Sequence, residues 1–377
     1  MKQPIRIAIL GDINTDWGWR ESFDAGDPVP IFGDVAEALQ SSDFAVANLE
    51  LPLTESNAPS TKTGPCLRGK PSDLSVLKKA GLSALSLANN HILDYGAQGL
   101  LDTLAAAQAE QMPTFGAERS AETAAKPLIV SINDWRVGFL SFAEEEFNIA
   151  YYNAPGANLF DPYSGFDQIR AAKSQCDYLI VLYHGGIEHY EYPSPFLQKK
   201  CRAMVRAGAN LVLCQHSHCI GTEERYHGAT ILYGQGNAIF GRWKTEDWNT
   251  GMLVTVDLTE EKTTVSYRVF EAGERGISFV SEEKNAARLQ KMAEQSACLS
   301  DEAELKKKWD AFCKTQTPEY LPMLFCWGRV RGKLNRIFKG KPVEHLIGRR
   351  KKMIAMNLVR CDAHRDVVQT ILENTQK

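Results

Sequence analysis

The sequence predicts an α/β fold, and three observations lead to that prediction. Short apolar runs alternate with amphipathic segments of helical period over residues 5–272, and this alternation is typical of sheets covered by helices. The last two apolar runs, 252–259 and 263–272, follow one another without a helix between them, which indicates that one sheet has an antiparallel part. Many of the apolar runs end in polar side chains, at the sheet edge where α/β proteins bind ligands.

The elements follow in chain order. Apolar runs bounded by polar or turn residues predict strands, and they lie at 5–10, 44–50, 84–90, 135–142, 177–184, 210–218, 229–237, 252–259 and 263–272. Apolar residues at helical spacing predict helices, and the clearest of these lie at 32–42, 71–81, 97–110 and 195–208. A glycine at position 208 ends the last of these helices.

Composition excludes several classes of protein. The chain has 377 residues, of which 44% are hydrophobic and 24% charged, as in ordinary globular domains. Its formal charge of −3 excludes a globally basic nucleic-acid binder, so we expect no specific nucleic-acid partner. No apolar run approaches the ~18 residues of a membrane-spanning helix, and the short apolar run at 5–10 predicts a buried strand rather than a signal peptide.

Cysteine usage indicates the compartment. The nine cysteines form no CxxC pair and are odd in number, which argues against a disulfide framework and a zinc knuckle. Free thiols are typical of a reducing compartment. The sequence therefore predicts a cytoplasmic protein.

A change of composition near residue 280 predicts two regions: a domain over 1–278 and a helical, basic C-terminal extension over 279–377. Prolines at 318 and 322 predict a link between helices in that extension. Residues 329–352 carry ten basic residues and one acidic residue, interleaved with apolar ones. This segment fits peripheral contact with an anionic membrane or with an acidic polymer, and the alternative is a helix that packs on the domain.

Side chains that bind metals cluster at the predicted strand ends. One histidine in such a place is more often an ordinary core or surface residue, so the prediction depends on the joint pattern. Carboxylate, amide and imidazole groups without a thiolate suit Mn, Fe or Zn, alone or in pairs, and a metal pair needs a bridging carboxylate. The residues are Asp12, Asn48, Glu50, Asn90, His91, His184, His216 and His218.

Motifs containing these residues occur in the order found in the calcineurin-like metallophosphatases. The chain more closely resembles the CapA family of capsule and poly-γ-glutamate synthesis proteins. The resemblance covers residues 5–272 and implies a layered fold with two central mixed sheets flanked by helices, which leaves the helical C-terminal extension outside. It depends on NLELPLT (48–54), LANNHILDYG (87–96), YHGGIEHY (183–190) and GQGNAIF (234–240).

The resemblance also implies roles for the metal ligands. Asp12 and His218 would bind a first divalent ion, and Glu50 would bridge it to a second. Asn14 stands where the classical motif has histidine and offers a weaker carbonyl-oxygen ligand, so the expected number of ions is one or two.

The second ion would be held by Asn90, His184 and His216, in addition to the bridge. The resemblance implies that His91 is the general acid or orients the leaving oxygen. Asp94 lies three residues beyond His91 and either orients its imidazole or caps a helix.

Three further residues are predicted to contact substrate. Arg68 and Lys70 precede a predicted helix and would bind an anionic group, unless they lie in a solvated loop. Glu188 lines the cleft or faces water. Trp17 follows the first motif, where it stacks on a ligand, shields the metals or simply packs.

The resulting hypothesis is a metal-dependent hydrolase of a phosphoester or an amide bond, linked to capsule or poly-γ-glutamate synthesis. Its substrate would be a phosphoester, a γ-glutamyl compound or an anionic polymer. The alternative is a non-catalytic factor that binds metal and polyanion and assists polymer synthesis or export. A nucleotide phosphodiesterase is a third possibility. The chain is expected either to work in the cytoplasm or to dock peripherally at the inner membrane face.

Overall fold

The computed structural model describes residues 2–17, 19–243, 245–325, 328–338 and 341–360. It divides into two compact units, Met1–Glu302 and Ala303–Lys377, and the domain boundary expected between residues 278 and 279 stays a prediction. Lys339 of the basic segment and residues 361–377 of the expected extension lie outside the described residues. Within the described ranges, every helix is too short or too polar to span a lipid bilayer.

The described residues contain sixteen strands. They are β1 (Ile5–Ile13), β2 (Phe44–Leu49), β3 (Ala84–Ser86), β4 (Thr114–Phe115), β5 (Ala117–Glu118), β6 (Leu128–Ile132), β7 (Trp135–Ala143), β8 (Gly156–Ala157), β9 (Tyr178–His184), β10 (Leu211–Gln215), β11 (Glu223–Tyr226), β12 (Ala229–Leu232), β13 (Asn237–Ile239), β14 (Thr250–Leu258), β15 (Thr263–Ala272) and β16 (Ile277–Phe279).

Thirteen α-helices lie in the same part of the chain. They are α1 (Arg20–Asp24), α2 (Val29–Phe32), α3 (Val35–Gln40), α4 (Asp73–Lys79), α5 (Gly96–Ala109), α6 (Ala121–Ala124), α7 (Gly165–Lys173), α8 (Pro195–Ala207), α9 (Glu282–Ser296), α10 (Glu302–Leu324), α11 (Arg329–Ile337), α12 (Lys341–Leu346) and α13 (Arg349–Arg360).

Two mixed sheets form the centre of the first unit. One has the order β16-β15-β14-β1-β2-β3-β4, with β13 also paired to β1, and the other has the order β11-β12-β10-β9-β7-β6. β1, β2, β3 and β4 run parallel, whereas β14 is antiparallel to both β1 and β15. The predicted α/β class with two mixed sheets and an antiparallel part is therefore confirmed.

The two sheets pack on each other, and helices cover their outer faces. Ile7 and Ile9 of the first sheet share a buried cluster with Ile180 and Leu213 of the second. On the other face of the first sheet, helical residues such as Leu77 join a second cluster, while α7 and α8 contact the second sheet. Each such buried aliphatic side chain contributes about 1.5–3 kcal/mol to stability.

Strand register places polar residues together at one edge of the first sheet. Asp12 pairs with Asn48 of β2 and with Asn237 of β13. This close approach requires glycine, because a Cβ at Gly11 would lie 2.4 Å from the carbonyl oxygen of Gly236. Gly236 itself has a φ of 74°, a conformation that side chains disfavour.

Some predicted elements differ from the structure. The strand expected at 84–90 ends at Ser86, and the strand expected at 210–218 ends at Gln215. The prolines expected to mark a link lie inside α10 instead. A proline removes one backbone donor from a helix but has a helical φ, so tertiary contacts can retain the helix around it.

Candidate metal centre

The predicted metal ligands meet at the carboxyl ends of strands from both sheets. Asp12 lies near the end of β1, and Glu50 directly follows β2. His184 ends β9, and His216 directly follows β10. All four side chains are buried, so the two sheets enclose a polar site that the sequence predicted only strand by strand.

Glu50 belongs to two groups of possible ligands. Asp12, Glu50 and His184 form one group, and Glu50, His216 and His218 form the other. Within each group, one ligand atom per residue lies within 4.8 Å of the others. A carboxylate common to two such groups has the arrangement that a bridging ligand between two cations requires.

The environment of Glu50 calls for a cation. Its side chain is 0% exposed, and neither carboxylate oxygen has a hydrogen-bond partner among the described residues. Burial raises the pKa of Glu50 well above its usual value, and the nearby charge of Asp12 raises it further. A bound divalent ion would compensate the desolvated carboxylate and displace its proton, so the residues fit divalent metal.

Two histidines of the site, His184 and His218, favour their neutral form. Burial lowers the pKa of His184 well below its usual value and that of His218 to about 3, and neighbouring histidines act in the same direction. A neutral imidazole keeps the lone pair that binds a metal. Near neutral pH these side chains are therefore available as ligands.

Asparagines orient the ligands. Asn48 Nδ2 donates to Asp12 Oδ1 at 2.7 Å and lies 3.2 Å from His184 Nδ1. The backbone N–H of His216 donates to Asp12 Oδ2 at 2.9 Å. These hydrogen bonds offset part of the burial that raises the pKa of Asp12, and they hold its carboxylate in one orientation.

The loop after β10 has an unusual backbone. His216 and His218 have φ values of 88° and 51°, which non-glycine residues rarely adopt. His218 Nδ1 lies 2.7 Å from Asn237 Oδ1, and with the proton on Nδ1 this contact leaves the Nε2 lone pair free for a metal. Such strain is commonly retained at functional sites.

The two amide ligands predicted from the resemblance differ in their surroundings. Asn90 Oδ1 lies 3.0 Å from His184 Nε2, within the site. Asn14 is buried, but its Oδ1 accepts hydrogen bonds from the N–H groups of Asp16 and Trp17. The ligand role of each asparagine stays a prediction.

The grouping of ligands also bears on the predicted assignment to two ions. The resemblance pairs Asp12 with His218, whereas the structure groups Asp12 with His184 and places His218 with His216. Since Glu50 is common to both arrangements, its bridging position is the same in each. Which ion each histidine holds stays a prediction.

His91 is held by a charged pair that includes a residue the sequence analysis missed. His91 Nδ1 lies 2.6 Å from Asp94 Oδ2, and Leu67 N–H donates to the same oxygen. Lys62 Nζ pairs with Asp94 Oδ1 and lies 3.3 Å from His91 Nδ1. The side chain of Lys62 is only 3% exposed, which is rare for lysine unless it is paired.

No local pattern marks Lys62, because it lies in a segment without regular structure between Thr54 and Gly69. Hydrogen bonds hold that segment against the residues that follow His91. Ser60 N–H donates to the Asp94 carbonyl, and Ser60 Oγ donates to the Leu93 carbonyl. Only the folded loop brings the ammonium group to Asp94.

Replacing Lys62 with methionine should therefore destabilise the protein. The change leaves the buried Asp94 carboxylate without its cation, and loss of one partner of a buried pair costs about 3–5 kcal/mol. Urea unfolding measures this effect. Lys70→Met is the matched control, because Lys70 pairs with Asp24 at an exposed site and should cost no more than about 1 kcal/mol. Equal effects of both changes would contradict the assignment.

The residues predicted to contact substrate belong to neither group of metal ligands. The Arg68 guanidinium donates to Asn57 Oδ1 at 2.8 Å and lies over the Tyr95 ring. Lys70 pairs with Asp24 at 2.7 Å. Glu188 is exposed, and its charge raises the pKa of Glu50. The substrate roles of Arg68, Lys70 and Glu188 stay predictions.

An acidic residue and an aromatic pocket were also missed. Glu146 is exposed, accepts a 3.4 Å hydrogen bond from Asn90 Nδ2 and adds to the raised pKa of Glu50. A pocket of about 310 Å³ lies next to His218, whose ring is 4.7 Å from that of Trp248. Its lining residues are Trp17, His189, Trp243, Thr245, Asp247 and Trp248.

The chain matches a sequence family over residues 6–242, and the family is described as bacterial capsule synthesis protein PGA_cap. The chain belongs to this family. The match contains every ligand of the candidate centre, and it confirms the family predicted from the four motifs. The PGA_cap region ends within the first compact unit.

Curated relatives of the chain have names that refer to capsule and polymer synthesis. The capsule biosynthesis protein CapA of Bacillus anthracis is 28% identical over 274 residues, which cover 70% of this chain and 66% of the relative. The PGA biosynthesis protein CapA of Bacillus subtilis (strain 168) is 31% identical over 228 residues, which cover 59% of this chain and 60% of the relative. The chain thus spans slightly less than two thirds of these relatives.

Solved structures resemble the chain more distantly. A hypothetical protein from Thermus thermophilus has a TM-score of 0.45 at 15% identity, covering 71% of this chain and 99% of that one. The 5′-nucleotidase from Candida albicans SC5314 has a TM-score of 0.41 at 12% identity, covering 83% of this chain and 58% of the nucleotidase.

Proposed function

We propose that this member of the PGA_cap family is a metal-dependent hydrolase that acts in capsule or poly-γ-glutamate synthesis. The observation that carries the proposal is Glu50, a fully buried carboxylate without a hydrogen-bond partner among the described residues, common to two groups of metal ligands. A single structural carboxylate in a core would be paired with a donor or a cation.

The metal ligands would be Asp12, Glu50, His184, His216 and His218. The Asn90 amide oxygen, which lies beside His184, would be a further ligand. Divalent ions bound there supply charge stabilisation and lower the pKa of water. The protein's own residues orient the ligands through Asn48 and Asn237.

His91 is the proton donor in this proposal. Its Nδ1 faces Asp94 and Lys62, so the opposite ring nitrogen is available for a leaving oxygen or nitrogen. Asp94 fixes the orientation of the ring, as a carboxylate does for a catalytic imidazole. A phosphoester and an amide both develop negative charge on oxygen, which suits a cationic centre.

The family relationship supports the polymer link but leaves the bond open. Relatives are named for the biosynthesis of capsule and PGA, which favours a γ-glutamyl substrate or an anionic polymer. A phosphoester remains the other proposed substrate. We also propose a cytoplasmic location, because seven described cysteines are free thiols.

The second candidate function is a factor that binds metal and polyanion without turnover. The surroundings of Asn14 favour this function, because the Asn14 side-chain oxygen already accepts hydrogen bonds from backbone N–H groups. With that oxygen occupied, one metal ion would be weakly bound. Such a centre could bind an anionic polymer without the geometry that hydrolysis requires.

One experiment separates these functions. Elemental analysis after reconstitution with Mn, Fe or Zn counts the ions, and a panel of aryl phosphates and γ-glutamyl peptides tests turnover on the same samples. One or two ions with turnover supports the hydrolase. Metal without turnover, together with polyglutamate binding, supports the second function. Absence of metal under all three conditions would contradict both.

A further inference from the structure

The C-terminal unit has an exposed apolar surface with basic residues beside it. Leu334, Ile337 and Phe338 of the α11 region are 46%, 61% and 56% exposed. Their spacing of three and four residues places them on one face of the helix. Large apolar side chains grouped on a surface usually mark a binding site.

The buried face of α11 is identified by a polar residue. Asn335 is 0% exposed, donates to the Pro318 carbonyl at 2.7 Å and accepts from Val343 N–H at 3.0 Å. The helix therefore directs an asparagine inward and its apolar stripe outward. This is the reverse of the usual arrangement for a helix that packs within a soluble unit.

Basic residues flank the stripe. Arg331, Lys333 and Arg336 are exposed, and among the side chains that the structure describes none of the three pairs with a carboxylate. Helix α13 also has exposed basic residues next to exposed apolar residues. The basic residues are Arg349, Arg350 and Lys351, and the apolar residues follow them in the helix. The latter are Met353, Ile354, Met356, Leu358 and Val359.

We propose that α11 and α13 bind the surface of a membrane that contains anionic phospholipids. The basic residues would contact the headgroups, and the apolar side chains would enter the boundary with the acyl chains. An acidic polymer matches the charge but offers nothing to the apolar stripe, so the lipid surface accounts for both observations. This proposal goes beyond the proposed hydrolase and does not depend on it.

The test is co-sedimentation of the full chain with phosphatidylcholine vesicles, with and without phosphatidylglycerol. The triple change Arg331→Gln, Lys333→Gln and Arg336→Gln should weaken binding about 100-fold, because three basic residues at an anionic surface together account for about that factor. The triple change Leu334→Gln, Ile337→Gln and Phe338→Gln should weaken it at least about tenfold.

The control is a variant that combines Lys262→Gln, Lys306→Gln and Lys307→Gln. These exposed lysines lie outside α11 and α13. This variant should bind like the wild type, and circular dichroism and metal content should be unchanged in all three. Equal binding to neutral vesicles, unaltered binding of the apolar variant, or binding of soluble polyglutamate without vesicle binding would each overturn the proposal.

Discussion

Replacing Glu50 with glutamine is expected to abolish metal-dependent stabilisation while making the metal-free protein more stable. The amide has nearly the same volume but removes the charge that joins the two ligand groups. At a metal concentration about 100 times the dissociation constant, binding stabilises the wild type by about 2.7 kcal/mol. The variant should show almost none of this shift.

The opposite change in the metal-free protein follows from burial. Glu50 is fully buried, and burial together with the nearby charge of Asp12 raises its pKa. Without metal, the folded protein must therefore either bury the charge or take up a proton, and both cost free energy. Glutamine avoids the charge and should raise the free energy of unfolding by about 2 kcal/mol.

The pH dependence has a definite sign. A carboxyl group with a raised pKa in the folded state stabilises it fully only below the ordinary carboxyl pKa, and this contribution is lost as pH rises through the raised value. The stability advantage of Glu50→Gln over the wild type, both without metal, should therefore grow with rising pH.

Thermal unfolding with a chelator and with added metal measures both effects. Glu188→Gln is the matched control, because it removes a carboxylate near the site that belongs to neither ligand group. It should retain the metal-induced shift. A Glu50→Gln protein that still gains stability from metal would show that Glu50 is not the shared ligand.

Replacing His91 with glutamine is expected to lower kcat by about 10²–10⁴-fold without loss of metal. That range is typical for removal of a general acid or base. His91 is absent from both ligand groups, so metal content should remain that of the wild type. KM should change little, because the substrate would still contact the metal centre.

His189→Gln is the control for this experiment. His189 is exposed and lies near His218, with ring centroids 6.2 Å apart, but it has no contact with Asp94 in the described hydrogen bonds. Steady-state kinetics on the most active substrate of the panel, with elemental analysis of each sample, gives the comparison. A His91→Gln enzyme with wild-type kcat would show that another group donates the proton.

Much of the site could be predicted from the sequence because strand ends are local features. Asp12, Glu50 and His184 each follow an apolar run, and parallel strands bring such ends to one edge. The spacing of His216 and His218 indicated a shared direction, but their positive φ values show that they lie in a turn rather than a strand.

Residues outside such runs could not be found in this way. Lys62 lies in a segment without regular structure, and nothing near it in sequence indicates burial beside Asp94. Glu146 reaches the site from a loop and Trp248 from a short 3₁₀ helix, and the position of each depends on contacts between segments far apart in the chain. The two prolines of α10 predicted a link between helices, but the helix continues through both positions.

The sequence by itself determined the α/β class, the family motifs and the types of ligand, since periodicity and residue chemistry are properties of short segments. Only the tertiary structure decided how Asp12 and the histidines divide into two groups around Glu50, that Lys62 pairs with Asp94, and that α11 turns its apolar stripe outward. Each of these depends on distances between segments far apart in the chain, which local patterns do not encode.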